Sequence, residues 1–400
     1  MKRVFLSALA GGALALCYAP FSQSWLVWGV FLLALPVFWT LPEKKAKRRG
    51  FGLGYLMGFV FWSLNLKWLW TVAGPGSLAI SAYLALYFAL FGLFAASVGN
   101  PWRNPESQRV KGIGARWQEA RRSLGYALVL GFLWCGLEWV RGWMLTGFGW
   151  NGLGVTFADS LILAQAAEWV GVSGLSFLPV FFSAVMVQVG RRMGAQAGSG
   201  VRLLHWDFGL ALAVIASLML VGALRMGQVR SGELREVRVL LVQQNIPQFA
   251  SRVAWERERV YEGYEELTLK ALEEIREAEI ARLQEERAGL NAGAEAGGEQ
   301  RQVLAQPDWI VWPEAALMEW IPVAEGQMGL GAMTRFLFEA VHGESAATII
   351  AGGYEMEAEV EGDYLIPKKG GRVWNSLLAV DAEGGIDSYY KRHRPKKYWT

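Results

Sequence analysis

The chain has 400 residues, 53% of them hydrophobic and only 19% charged, with 20 Trp and 47 Gly. That composition argues against a water-soluble globule for the chain as a whole, and a net charge of +3 gives no reason to expect a nucleic-acid partner. The two cysteines, Cys17 and Cys135, both lie in apolar segments, so no disulfide framework is expected.

The N-terminus, M-K-R-V-F-L-S-A-L-A-G-G-A-L-A-L-C, has the basic start and apolar core of a secretory signal. Leu16 is too bulky to precede a lipoprotein cleavage at Cys17, and further apolar segments follow, so a retained first span is expected. A bilayer is crossed by about 17–25 apolar residues. Candidate spans cover 4–20, 24–41, 51–71, 77–99, 123–141, 161–189 and 208–225, about seven in all.

The connections alternate in charge. Lys2 and Arg3 precede the first span, and Lys44, Lys45, Lys47, Arg48 and Arg49 fill the 42–50 link. Arg103, Arg109, Lys111, Arg116, Arg121 and Arg122 fill the 100–122 link, and Arg191, Arg192 and Arg202 the 190–207 link. The 20–24, 71–77 and 142–160 links carry no basic residue. The positive-inside rule then puts the N-terminus in the cytoplasm, and an odd number of spans puts everything after about residue 230 outside.

The outer segment 141–154, R-G-W-M-L-T-G-F-G-W-N-G-L-G, has two readings: an interfacial aromatic belt, or a flexible lipid-facing loop over an active site. Lys67, beside Trp68 and Trp70, is placed to snorkel to headgroups. Glu138 and Arg141 share a face of the fifth span and are expected to pair.

After residue 230 charged residues become common, so 1–229 is expected to be a membrane domain and 230–400 a water-soluble one. E-V-R-V-L-L-V-Q-Q-N, 236–245, predicts a strand covered on both faces. A charged helix over 252–287 and a solvated loop over 288–306 follow. W-I-V-W, 309–312, predicts a strand that stops at Pro313, with Glu314 just past its end. A helix is expected over 327–342, a strand over 347–355 with a tight turn at Gly352-Gly353, and a hairpin of 375–380 and 386–393 about the turn D-A-E-G-G. Alternating strands and helices predict an α/β layered fold with a mixed sheet. Reactive groups in such sheets gather at carboxyl ends of strands, where Glu314 lies. As a bland alternative, Glu314 is a helix cap or surface charge. His205, His342 and His393 have no metal-ligand spacing, and no metal or cofactor is expected.

The order of W-P-E at 312–314 and N-S-L-L-A-V-D-A-E-G-G-I-D-S-Y-Y-K-R-H at 375–393 resembles the nitrilase superfamily. With the spans, V-Q-Q-N-I-P-Q, and T-G-F-G-W where T-G-F-P-W is usual, the chain resembles the apolipoprotein N-acyltransferase family over essentially its whole length. The resemblance implies a polytopic helical membrane domain and an extracytoplasmic αββα nitrilase-like domain in a bacterial inner membrane. It implies Glu314 as general base, Lys391 as oxyanion-stabilising lysine, a cysteine nucleophile, and Trp150 and Trp255 as substrate contacts. The implied acyl donor is a phospholipid, and the acceptor is the N-terminal amine of a diacylglyceryl-cysteine on an apolipoprotein.

Beyond His393 this sequence reads R-P-K-K-Y-W-T where the family continues differently, and no cysteine follows Cys135. The soluble domain is therefore expected to be truncated at its C-terminus, and the 400-residue chain to be inactive. Two other readings stay open: a membrane-attached amidase of carbon–nitrogen bonds, and a non-catalytic membrane scaffold or transporter. The scarcity of ionisable groups in the spans weighs against transport.

Overall fold

The computed structural model describes residues 1–103, 113–196, 205–231, 236–246, 257–291, 306–362 and 364–390. The chain divides into two compact units, Met1–Glu233 and Leu234–Thr400.

The first unit is helical: α1 Lys2–Leu16, α2 Val27–Trp39, α3 Ala46–Asn65, α4 Trp70–Ala73, α5 Gly76–Ala96, α6 Ile113–Arg141, α7 Leu161–Ala164, α8 Ala167–Leu175, α9 Phe177–Gln196 and α10 Trp206–Ser231. In a lipid environment a helix satisfies its own backbone polar groups, which is why such apolar runs take this form. Helices lie in each of the seven expected stretches, but not all are long. Gly76–Arg103, Trp117–Arg141 and Trp206–Gln228 are long and apolar enough to cross a membrane singly. Ser24–Trp39 with Glu43–Asn65, bent by 109°, and Ala167–Leu175 with Phe177–Ala195, bent by 63°, reach that standard only as pairs. For α3 and α9, with 20 residues each, the shortfall lies in their basic ends; for α1 and α2 it is geometric, since α1 has 15 residues and α2 has 13. At about 1.5 Å per residue α1 and α2 fall short of a hydrocarbon core about 30 Å thick.

Packing in this unit depends on close backbone approach. A Cβ at Gly50 of α3 would meet the Gly92 carbonyl of α5 at 2.5 Å, and one at Gly92 would meet the Gly50 carbonyl at 2.5 Å. Small residues at such crossings let helices touch where lipid gives no hydrophobic driving force. α1 runs parallel to α3, with Ser7 Oγ donating to the Leu53 carbonyl at 2.5 Å. Arg192 of α9 is ion-paired with the buried Asp207 of α10, and its Nη1 lies 3.8 Å from Glu119 of α6.

The second unit holds α11 Arg257–Asn291, α12 Ala332–His342 and an eight-stranded mixed sheet. Its strands are β1 Val239–Leu241, β2 Trp309–Val311, β3 Trp320–Ala324, β4 Gln327–Met328, β5 Thr348–Glu361, β6 Tyr364–Pro367, β7 Val373–Val380 and β8 Ile386–Tyr390. β5 is central. It pairs in parallel with β2 at 348–350 and with β3 at 354–357, and antiparallel with β7 at 349–356.

Successive side chains of a strand alternate between faces. Ile310, Ile349, Ala351, Leu378 and Val380 are buried in one cluster with Val260, Tyr264 and Leu272 of α11 and Leu337, Phe338 and Val341 of α12. The opposite face carries Leu241 at 74% exposure and Tyr389 at 68%, with Trp309 and Leu377 also exposed. The strand expected to be covered on both faces is thus covered on one among the described residues.

Two further expectations are corrected. Gly352 and Gly353 form no turn but lie inside β5, whose ladder with β7 runs through both. The helix expected from 327 begins at Ala332, because β3 and β4 first form a tight hairpin through Glu325 and Gly326, both at positive φ.

Candidate active site

In the second unit the site is built on the end of β2. Trp312 is 2% exposed and stacks on Tyr264 at 5.6 Å and on Phe338 at 5.8 Å between ring centroids. Its Nε1 donates to Thr268 Oγ1 at 3.1 Å. The ring is a fixed anchor, and the backbone turns immediately after it. Pro313 follows, and Ala315 takes a φ of 60°.

The turn lies flat against β5. A Cβ on Gly352 would come within 2.6 Å of Glu314 Cα and 2.8 Å of the Ala315 nitrogen. Leu317 N donates to the Gly352 carbonyl at 3.0 Å, closing the turn onto the strand. This close approach is the reason for glycine at 352. The turn leaves the Glu314 side chain exposed, and Asn375 Nδ2 of β7 donates to its Oε1 at 2.5 Å. A carboxylate held by an amide donor and open to solvent can accept a proton from an incoming group.

The hairpin expected over 375–393 is present through Tyr390. Asp381 Oδ1 accepts from the Gly385 nitrogen at 2.7 Å and the Glu383 nitrogen at 3.0 Å, which organises the turn. Tyr390 is in register with Ser376, the residue after Asn375. Lys391 and Trp255 lie outside the described residues, as does His393. Among the described residues no His, Cys, Asp or Glu cluster could hold a metal ion.

In the first unit, the aromatic segment after α6 is pinned at its backbone. The buried Arg141 donates from Nη1 to the Trp150 carbonyl at 2.8 Å and lies 4.8 Å over the Trp62 ring. Glu138 Oε1 accepts from the Leu153 nitrogen at 2.7 Å and from Trp134 Nε1 at 2.8 Å. Tyr18 donates to the Gly152 carbonyl at 3.1 Å, and Asn151 is hydrogen-bonded to Asn65. Glu138 and Arg141 form no direct ion pair, because each is spent on a different part of the same loop. The loop is therefore fastened rather than flexible in its backbone. Trp150 itself is exposed and stacks on the exposed Trp68 at 5.2 Å, an aromatic pair presented outward beside the exposed Lys67.

Cys17 Sγ donates to the Ala13 carbonyl and Cys135 Sγ to the Ser173 carbonyl. Both thiols belong to the first unit, and Glu314 to the second. Sequence reasoning missed Asn375 as the Glu314 partner and Gly352 as its support. It also missed Gln244, whose Nε2 donates to the Val260 carbonyl of α11 at 2.6 Å.

Residues 10–185 match the model described as apolipoprotein N-acyltransferase N-terminal domain. A protein named apolipoprotein N-acyltransferase from Rhodopseudomonas palustris is 25% identical over 413 residues, covering 98% of this chain and 63% of its own length. Over nearly its whole length the chain is similar to proteins named apolipoprotein N-acyltransferase, a family of acyltransferases. A member from Bordetella bronchiseptica is 32% identical over 230 residues, covering 54% of this chain and 38% of its own. One from Rhizobium meliloti is 24% identical over 409 residues, covering 96% and 62%. The chain spans less than two thirds of the length of these apolipoprotein N-acyltransferases.

Proposed function

We propose that this chain serves the transfer of an acyl chain from a phospholipid to the N-terminal amine of a diacylglyceryl-cysteine on an apolipoprotein. The observation that carries the reading is Glu314, exposed at the carboxyl end of β2 and held by Asn375 at 2.5 Å, in a chain similar to apolipoprotein N-acyltransferases. Glu314 acts as general base and takes the proton of a thiol. The thiolate attacks the acyl ester carbonyl, and the Lys391 ammonium stabilises the oxyanion that forms. The departing lysophospholipid oxygen takes a proton back from Glu314. The amine of the acceptor then attacks the thioester and restores the thiol. Support for Lys391 comes from the register of the hairpin, which pairs Tyr390 with Ser376 next to Asn375.

Trp150 and Trp255 contact substrate in this reading, and the exposed Trp68–Trp150 stack suits a lipid interface. The second unit is a nitrilase-like domain on the periplasmic side of a bacterial inner membrane. The alternating basic links support that orientation, with the N-terminus in the cytoplasm. No cofactor enters the scheme.

Residues 230–400 contain no cysteine, so the test must supply the thiol. Acyl transfer from a labelled phospholipid to a diacylglyceryl lipopeptide is measured for the 400-residue chain and for the chain extended with the corresponding C-terminal segment of the Rhodopseudomonas palustris relative. The chain alone is expected to be inactive, the extended chain active, and its Glu314→Gln variant inactive. Turnover that survives Glu314→Gln would sink the proposal.

A further inference from the structure

We propose that the end of the first unit where α1 and α3 begin holds a binding site for one anionic phospholipid. This site is separate from the acyl-donor chemistry and does not depend on Glu314. α1 and α3 run parallel, with Ser7 bonded to Leu53 and Gly11 packed on Met57, so both helices start at the same end. There they border an open groove of about 780 Å³, which takes in Lys2, Arg3, Val4, Arg49, Leu53 and Leu56. Small-molecule sites occupy roughly 300–1,000 Å³, so this volume suits a ligand rather than an ion alone.

The groove has two chemistries in order along each helix. Lys2 and Arg3 precede Val4 on α1, and Arg49 precedes Leu53 and Leu56 on α3. Cations therefore sit at the helix starts and apolar side chains further in. Arg3 also donates to the Thr40 carbonyl at 2.9 Å, which fixes one cation to the end of α2 and leaves further guanidinium donors. Among the described residues none of Lys2, Arg3 and Arg49 forms an ion pair with a carboxylate. The start of α1 has no side-chain cap, so its first backbone N–H groups add to the positive field.

Three uncompensated cations ask for an anion, and the apolar wall asks for a hydrocarbon chain. A phosphodiester headgroup with net negative charge and an acyl tail satisfies both. A free phosphate leaves Val4, Leu53 and Leu56 unused, and a headgroup without net charge leaves the cations uncompensated. Gly52 also lines the groove, and a Cβ added there meets nothing within 4 Å. A large side chain at 52 would fill the groove without disturbing its walls.

The test is native mass spectrometry of the 400-residue chain in mild detergent micelles doped with phosphatidylglycerol, phosphatidylethanolamine or inorganic phosphate. The wild-type chain should retain phosphatidylglycerol about tenfold better than phosphatidylethanolamine. Lys2→Gln with Arg49→Gln should cut that retention about tenfold. Gly52→Trp should cut it with every charge intact. Lys44→Gln with Lys45→Gln, in the same link but outside the groove lining, should leave it unchanged. The site is refuted if the Lys44 and Lys45 pair matters as much as Lys2 and Arg49, which means diffuse attraction. It is equally refuted if Gly52→Trp binds like wild type, or if inorganic phosphate displaces the lipid.

Discussion

Arg141, a residue 4% exposed, donates from Nη1 to the carbonyl oxygen of Trp150 at 2.8 Å, with its guanidinium over the Trp62 ring. One side chain thus joins the end of α6 to the tip of the aromatic segment. Arg141→Met keeps much of the apolar stem and removes the donor and the charge. It is expected to cost about 2 kcal/mol, the scale of a lost charge-assisted hydrogen bond. Thermal unfolding in detergent measures the loss. Quenching of Trp fluorescence should rise at the same time, as the Trp68–Trp150 stack opens.

Gly352→Ala places a methyl 2.6 Å from Glu314 Cα, which no rotamer can relieve because the contact is with backbone. The turn must lift from β5. Overpacking of this kind costs about 1–3 kcal/mol. In the extended chain, acyl transfer is expected to fall with it, because Glu314 loses its place beside Asn375. Asn375→Ala should reduce turnover by about tenfold with little change in unfolding temperature, the loss of one oriented hydrogen bond. If Gly352→Ala leaves both stability and turnover intact, the turn is not held as described.

Trp312 separates stacking from hydrogen bonding. Trp312→Ala empties a site between Tyr264 and Phe338 and should cost about 3–5 kcal/mol. Trp312→Phe keeps an aromatic ring and loses only the bond to Thr268, which still donates to the Tyr264 carbonyl at 2.6 Å. About 1 kcal/mol is expected for that change. Chemical denaturation followed by far-ultraviolet circular dichroism distinguishes the two.

Glu357 gives the second unit a pH dependence. The backbone N–H of Arg372 and then its side chain hold the Glu357 carboxyl below its ordinary value of 4.5, with Lys368 adding to the effect. A lowered carboxyl pKa contributes stability above the unfolded value and loses it as pH falls through the folded value. The contribution is small, since the group is close to solvent. The protection factor of the Arg372 amide, corrected for intrinsic exchange, is therefore expected to fall as pH drops through the lowered Glu357 pKa, and Glu357→Gln should remove that dependence.

Glu314 is legible in the sequence because an apolar run ends at a proline, which marks a strand end whatever the rest of the chain does. The hairpin about D-A-E-G-G is legible for the same local reason: Asp381 can bond its own following backbone. Asn375 and Gly352 are not legible, because their importance comes from pairing across 61 residues and across a parallel ladder. The length of β5 is likewise a long-range matter. Its polar second half, M-E-A-E-V-E, has weak strand character alone and is held by β6, β3 and β7. The positions of the first unit's helices follow apolar runs, but their lengths do not. Gly171 takes a φ of 66° and breaks α8, and the extended Pro42, with ψ 136°, lies in the link at which α2 and α3 meet at 109°.

The contact of Gly50 with Gly92 has an evolutionary consequence. Because the two backbones already touch, every substitution at either position adds matter between α3 and α5, and none can subtract it. A single change at Gly50 forces the pair apart, because even removing the Ala96 methyl, also 2.5 Å away, leaves the Gly92 carbonyl in the way. Variation among related chains should therefore concentrate on the outer faces of these two helices, at positions such as Leu64 and Leu86, and leave their seam unchanged.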